Sequence, residues 1–221
     1  DLSPQEREKI LRQALKHSTN AIHMHPTYNN AWLLYGNANT MLAGIFLGKP
    51  ENENQSFTLY GKQTVLPTLQ AAAALYDEGA RAYAEVMRLR PDHPDAPTNL
   101  GVALRDKAKL IGERMNRVTE ALALLQSAQK YLPNDPETFR LLGVVYGLTG
   151  QLQLAINSLE RAVQLMPQEP SNWYNLGIAY KNGGLIPQSE ECFKKAKELN
   201  PNFNPTPNAP APNPAPTTPT Q

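Results

Sequence analysis

The strongest constraint on this chain is a repeat, because residues 136–201 carry the same order of residue sizes twice, 34 positions apart. In the second copy the pattern is Trp173, Leu176, Gly177, Tyr180, Gly184, Ser189, Phe193, Ala196 and Pro201. The residues 34 positions earlier are Phe139, Leu142, Gly143, Tyr146, Gly150, Ala155, Leu159, Ala162 and Pro167. Large residues recur at helical spacing on both sides of a glycine break, so each copy predicts two helices joined by a turn.

A single pair of helices cannot bury both of its faces, and stacking on the next pair completes the burial. A period of 34 with this order of sizes resembles the tetratricopeptide repeat (TPR) family. The resemblance covers residues 4–201 and is strongest over 136–201. It implies an all-α fold, an α-solenoid of stacked antiparallel helix pairs, with about four repeats plus a leading half-repeat.

The same pattern divides residues 1–201, which we interpret as one helical-repeat domain, into five parts. They are a half-repeat at 4–28 and repeats at 29–93, 94–135, 136–169 and 170–201. The repeat at 29–93 contains a 31-residue insert between its helices, and the repeat at 94–135 is eight residues longer than 34, since 136 − 94 = 42. Residues 202–221 are an uncharged tail rich in Pro, Asn and Thr, a composition that does not fold by itself.

The extra residues in the second and third units predict lengthened helices. Residues 41–47 can extend the first helix of the second unit, and 68–75 can extend its second helix. The polar stretch 48–56 between them is predicted to be an exposed loop. In the third unit we expect one extra turn in each helix, with Gly112 at the turn that joins them.

Composition excludes several classes of function. The net charge is only +1, from 21 basic and 20 acidic residues, so no general attraction for nucleic acid is expected. Cys192 is the sole cysteine, which rules out an internal disulfide and a cysteine-based metal site. The stretch 26–48 has no charged residue, but its asparagines favour a repeat helix over a membrane span. We find no catalytic constellation, so the chain is predicted to be no enzyme and to need neither metal nor cofactor.

The TPR resemblance places one surface of the first helices in contact with an extended peptide. Carried over to this sequence, the groove positions are Leu33, Asn37, Thr98, Asn99, Arg105, Arg140, Val144, Tyr174, Ile178 and Lys181. Their polar members suit the amides and carboxylates of a peptide, although such residues can equally be solvated surface. Some TPR proteins hold a terminal carboxylate with basic and Asn side chains on three successive units. Asn37 and Asn99 fit that clamp, but Leu33 and Glu137 do not, so chaperone tails are not predicted ligands.

The leading prediction is therefore a scaffold that binds a protein or peptide ligand, and two alternatives stay open. Residues 21–28, 110–113 and 140–147 resemble the repeat regions of bacterial membrane glycosyltransferases, which implies an extracytoplasmic accessory domain joined to an upstream membrane part. Otherwise a cytoplasmic location is open. The second alternative is self-assembly into a homo-oligomer through uncovered repeat ends at 4–25 and 187–199.

Overall fold

The computed structural model describes residues 2–59 and 62–203, and contacts divide the chain into two compact units, Asp1–Met115 and Asn116–Gln221. Unit 1 contains α1 (Pro4–Met24), α2 (Asn29–Leu47), β1 (Asn54–Leu59), β2 (Lys62–Pro67), α3 (Thr68–Leu89) and α4 (Ala96–Glu113). Unit 2 contains α5 (Val118–Tyr131), α6 (Pro136–Leu148), α7 (Leu152–Leu165), α8 (Pro170–Asn182) and α9 (Ile186–Leu199). The described chain is thus a helical-repeat fold with one β-hairpin, and residues 204–221 of the tail lie outside the described residues.

Helices α1 and α6 begin at side-chain caps. At α1 the Ser3 hydroxyl accepts a hydrogen bond from the Glu6 amide at 3.3 Å, and the Glu6 carboxylate accepts one from the Ser3 amide at 2.8 Å. This reciprocal capping satisfies amides that lack partners within the helix. At α6 the Asp135 carboxylate accepts from the Thr138 amide at 2.8 Å, and Pro136 occupies the first helical position.

In three of the repeats the two helices approach one another at a glycine. A Cβ atom added to that glycine would fall well inside van der Waals contact with a large side chain on the second helix. The pairs, with the distance to the nearest side-chain atom, are Gly36 and Tyr83 (2.7 Å), Gly143 and Leu159 (2.4 Å), and Gly177 and Phe193 (2.7 Å). The same contact therefore recurs in three repeats, as the sequence pattern predicts for small and large positions.

The turns that join the helices of the last three repeats share one backbone conformation. Asn116, Gly150 and Gly184 have positive φ angles of 53°, 76° and 73°, and they lie 34 residues apart. Glycine adopts this left-handed conformation without a steric cost, and asparagine is among the few other residues that tolerate it. The prediction that Gly112 marks the turn of the repeat at 94–135 is wrong, because Gly112 lies inside α4 and Asn116 forms the turn.

The extra residues of the repeat at 94–135 lie before that turn, in its first helix. Helix α4 has 18 residues against 13 in α6 and α8, whereas α5, α7 and α9 all have 14. The expected extra turn in each helix is therefore found in α4 alone. Helix α4 packs against the long helix α3, and the Arg114 guanidinium after it binds the Glu51 carboxylate at 2.6 Å.

The insert of the repeat at 29–93 lengthens both of its helices, since α2 runs to Leu47 and α3 begins at Thr68. Between them β1 and β2 form an antiparallel hairpin, so the expected exposed loop at 48–56 is wrong for its last three residues. Phe57 is 1% exposed and meets the Phe46 ring edge-on, with centroids 6.1 Å apart. Gln55 is also buried, and its side-chain amide is satisfied there, since it donates to the Thr68 hydroxyl and accepts from the Lys49 ammonium. Buried and exposed residues alternate along β1, the period of a strand with one covered face.

Trp32 and Trp173 lie near the starts of α2 and α8 and make the same hydrogen bond. The Trp32 indole donates to the Pro26 carbonyl and the Trp173 indole to the Pro167 carbonyl, both at 2.8 Å. In each case the acceptor lies six residues upstream, where the preceding helix has ended.

Among the described residues, no helix combines the length and apolar character that crossing a bilayer requires.

Candidate interaction surface

In unit 2, α6 and α8 lie side by side, and α7 packs against both of them. Half of the predicted groove positions fall on these two helices. Arg140 and Val144 are half-buried on α6, Tyr174 and Ile178 are half-buried on α8, and Lys181 is exposed near the end of α8. We call these five residues the α6–α8 face. Within each helix their spacing of three or four places them on one side.

Arg140 is held in place by a neighbour one turn earlier on α6. Its Nε and Nη2 atoms each donate to the Glu137 carboxylate at 2.7 Å. The Arg140 side chain is only 16% exposed, so the paired charges sit close to the helix surface. A two-bond contact of this kind fixes the plane of the guanidinium. The orientation of Arg140 is therefore set before any ligand arrives.

Tyr174 is part of an aromatic cluster. Its ring centroid lies 5.4 Å from that of Phe193 on α9 and 5.7 Å from that of Phe203. Offset and edge-on arrangements at such distances are favourable beyond the area they bury. Phe203 was not among the predicted positions, because it belongs to the segment interpreted as tail. The available signal was that Phe203 is the sole aromatic residue after Pro201.

Behind the face, a second tyrosine ties α8 to α7. The Tyr180 hydroxyl donates to the Glu160 carboxylate at 2.7 Å. Burial, together with this bond to a carboxylate, raises the pKa of the Tyr180 phenol. The phenol therefore stays protonated over the physiological range and keeps donating, which holds α8 in place.

The other five predicted positions lie in unit 1, with Leu33 and Asn37 on α2 and Thr98, Asn99 and Arg105 on α4. Two of them have partners inside the unit. The side-chain amide oxygen of Asn37 accepts from the Tyr83 hydroxyl at 2.9 Å, and the Arg105 guanidinium binds the Asp106 carboxylate at 2.8 Å. Thr98 is exposed, whereas Leu33 and Asn99 are half-buried. Helix α3 packs against both α2 and α4, so these positions flank the same helix.

Side chains that could act as metal ligands are dispersed in the described parts of the chain, where no three of His, Cys, Asp and Glu come together. Cys192 is buried in the core of unit 2 with Ile156, Leu159 and Leu176. Burial raises the pKa of its thiol to about 11, so it is poorly placed for nucleophilic chemistry.

Three family models match the chain. They are described as "Tetratricopeptide repeat" at residues 68–136, "TPR repeat" at 148–184 and "Tetratricopeptide repeat" at 171–203. A search of curated protein sequences finds no match. Among solved structures, "MamA RS-1 ArsTM double mutant" is 19% identical and has a TM-score of 0.53, covering 89% of this chain and 96% of that one. "Crystal structure of MamA" is 17% identical with a TM-score of 0.51, covering 85% and 86%. These structures are similar in fold.

Proposed function

Since the chain belongs to the tetratricopeptide repeat family, a family of protein-interaction scaffolds, we propose that it binds an extended segment of another protein on the α6–α8 face. One observation supports this more than any other. Val144 and Ile178 are half-buried apolar residues on adjacent helices, so part of their apolar surface stays exposed one turn away from Arg140 and Lys181, respectively. Extended peptides bind such surfaces by placing alternate side chains in apolar contact while their amides meet polar groups.

The charges of the face favour an acidic or carboxylate-bearing ligand. Lys181 is exposed, and within residues 2–59 and 62–203 its ammonium makes no ion pair. Arg140 lies near the start of α6 and already binds the Glu137 carboxylate, so Lys181 is the main group of the face for a ligand carboxylate. At the other end of α8, the aromatic cluster around Tyr174 provides a rigid apolar platform. The ligand we expect is therefore a segment with apolar residues and one acidic residue.

The unit 1 positions are proposed separately as ligand contacts. Thr98 and Asn99 offer polar groups on α4, and Leu33 offers apolar surface on α2. Asn37 and Arg105 would have to exchange or share their internal partners to bind a ligand. Their contribution is expected to be smaller for this reason, because breaking an internal polar contact costs part of what the new one supplies.

Site-specific photocrosslinking tests the proposal. A photoreactive amino acid at position 178 should capture a partner in cells that make the protein, and the same group at Leu154, an exposed apolar residue on α7, should not. Peptides from the captured partner are then measured by fluorescence anisotropy. Lys181→Glu should weaken binding about tenfold or more, whereas Lys194→Glu, an exposed site on α9, should leave it unchanged. Equal capture at 154 and 178, or equal binding by both variants, would rule out the face.

A second candidate, self-association, is favoured by the surface of α1. Leu11, Leu15 and Ser18 are its buried residues, whereas Ile10 and Met24 are large apolar side chains left exposed. Exposed apolar residues on one helix are a common basis for homomeric contacts. Light scattering over a concentration series tests this candidate. Growth in mass that Ile10→Glu abolishes supports it, and a constant monomer mass rules it out. The glycosyltransferase resemblance stays a hypothesis.

A further inference from the structure

Unit 1 contains a cavity of about 310 Å³ between α1 and the hairpin strand β1. The lining residues used below are Leu15, Lys16, Asn20, Tyr35, Phe57 and Thr58. We call it the α1–β1 cavity. Its volume lies at the small end of the range for ligand sites, which matches one bulky side chain. None of these residues belongs to the α6–α8 face, so the inference does not depend on the proposed function.

The inner part of the α1–β1 cavity is apolar. Leu15, Tyr35 and Phe57 are all buried residues, and Phe57 is fixed by its edge-on contact with Phe46. The Tyr35 hydroxyl donates to the buried Glu78 carboxylate at 2.6 Å. Since that bond uses the polar end of Tyr35, the ring is what the side chain offers to a ligand. An aliphatic or aromatic side chain is therefore the group that fits.

One side of the cavity is an open strand edge. The Thr68 amide donates to the Glu53 carbonyl at 2.9 Å, and bonded and non-bonded pairs alternate along an antiparallel ladder. The main-chain groups of Ser56 and Thr58 must then point away from β2. The Arg12 guanidinium agrees with this, because it donates to the Ser56 carbonyl at 2.7 Å. The main chain of Thr58 is thus presented at the cavity, where a peptide amide can bond to it.

A positive charge stands at the same place. The three guanidinium nitrogens of Arg12 are all engaged, Nε and Nη2 with Glu8 and Nη1 with Ser56. Lys16 follows one turn later, is exposed, and makes no ion pair among the residues that the structure describes. A carboxylate next to the apolar group would therefore be bound by Lys16, with the Asn20 amide one further turn along α1.

We propose that the α1–β1 cavity binds the C-terminal residue of a peptide, with an apolar side chain between Leu15, Tyr35 and Phe57 and its carboxylate at Lys16. The preceding amide bonds to the main chain of Thr58. Such a site recognises one side chain and one C-terminal carboxylate. It is separate from the proposed binding site for an extended segment in unit 2. It takes N-acylated apolar amino acids as its smallest ligands.

Chemical-shift titration of the full chain with N-acetyl-phenylalanine and with its neutral amide tests the site. The acid is expected to bind with a millimolar Kd, to shift the amides of Lys16, Phe57 and Thr58, and to bind about tenfold more tightly than the amide. Lys16→Glu should remove that preference, and Lys9→Glu, which makes the same charge change at an exposed position of α1, should retain it.

Three results would overturn the proposal. They are equal binding of acid and amide, equal loss in the Lys16 and Lys9 variants, and the absence of shifts around the cavity at millimolar ligand. A blocked dipeptide, N-acetyl-Phe-Glu-amide, adds one more comparison. If it binds as well as N-acetyl-phenylalanine, the site reads an internal acidic residue rather than a chain end, and the C-terminal assignment is wrong.

Discussion

The Phe193 ring of α9 lies directly against Gly177 of α8, so closely that a Cβ atom at Gly177 would stand 2.7 Å from ring carbon Cε1. Real Cβ atoms do not approach carbon so closely, so any side chain there must displace the ring. The ring is also held by Tyr174, whose centroid lies 5.4 Å away. The helix pair that carries three of the five residues of the α6–α8 face thus depends on the absence of one methyl group.

Gly177→Ala is therefore expected to destabilise the protein, by about 1–3 kcal/mol, because overpacking forces the ring or a helix to move. Gly147→Ala is the matched control, since Gly147 is also helical and the nearest atom to its added Cβ is 4.0 Å away. It should be neutral or slightly stabilising, because alanine favours helix. Urea unfolding measures both. Equal stability of the two variants would contradict the tight contact.

Tyr35→Phe tests the buried carboxylate of unit 1. Glu78 is fully buried and accepts hydrogen bonds from the Tyr35 hydroxyl and the Arg81 guanidinium, both at 2.6 Å. Removing the hydroxyl leaves a buried charge with one donor fewer, which should cost about 1.5–3 kcal/mol in the free energy of unfolding. Tyr28→Phe is the control, because the Tyr28 side chain is exposed, and it should change stability by less than about 0.5 kcal/mol.

Phe57→Ala should loosen the hairpin without unfolding the helices. The Phe57 ring is the buried anchor of β1, and truncating a buried phenylalanine costs about 3–5 kcal/mol. A two-stranded hairpin has little stability of its own, so β1 and β2 should lose amide protection. Hydrogen exchange reports this strand by strand. Val65→Ala on β2 removes a side chain that is 59% exposed and should leave protection unchanged, and retained protection in Phe57→Ala would show that the hairpin has another anchor.

Cys192 is expected to react slowly with a thiol reagent at pH 8 and rapidly once the protein is unfolded. Its side chain is 4% exposed, and burial raises its pKa from 9.0 to about 11. Because the folded state holds the proton more tightly, the native state should lose stability as the pH rises from about 9 to about 11. Cys192→Ala should lack that part of the loss. Fast labelling of the native protein at pH 8 would show that the thiol is accessible.

The repeat pattern was sufficient for much of the fold. It placed Gly143 and Leu159 at the positions equivalent to Gly177 and Phe193, and the two pairs make the same contact in the structure, since that contact depends on spacing within one helix pair. It also predicted that the insert lengthens α2 and α3. It missed the hairpin, because the alternation along β1 covers six residues between two long helical patterns. It also misplaced the turn of the repeat at 94–135, because glycine is the usual residue at such a turn and Asn116 adopts the positive φ angle there instead.

The predicted interaction positions show where sequence reasoning ends. Spacing alone placed Arg140 and Tyr174 on neighbouring helices of unit 2, and the structure adds the partners that hold them, Glu137 and Phe203. Whether these positions bind a ligand stays a proposal. Asn37 illustrates the difficulty, since the bond it accepts from Tyr83 joins residues 46 positions apart. Helical periodicity carries no information about a pair so distant.

By itself, the sequence determined the helical-repeat class and the register of the helix pairs, because the local spacing of large and small residues sets which side of each helix is buried on the next. Only the tertiary structure decided that β1 and β2 pair as a hairpin and that a cavity lies between β1 and α1. The physical reason is that the hairpin is held by contacts such as Phe57 with Phe46, and that the cavity is lined by Leu15 of α1 and Tyr35 of α2. Those partners come from separate elements, and their meeting depends on the packing of the whole unit.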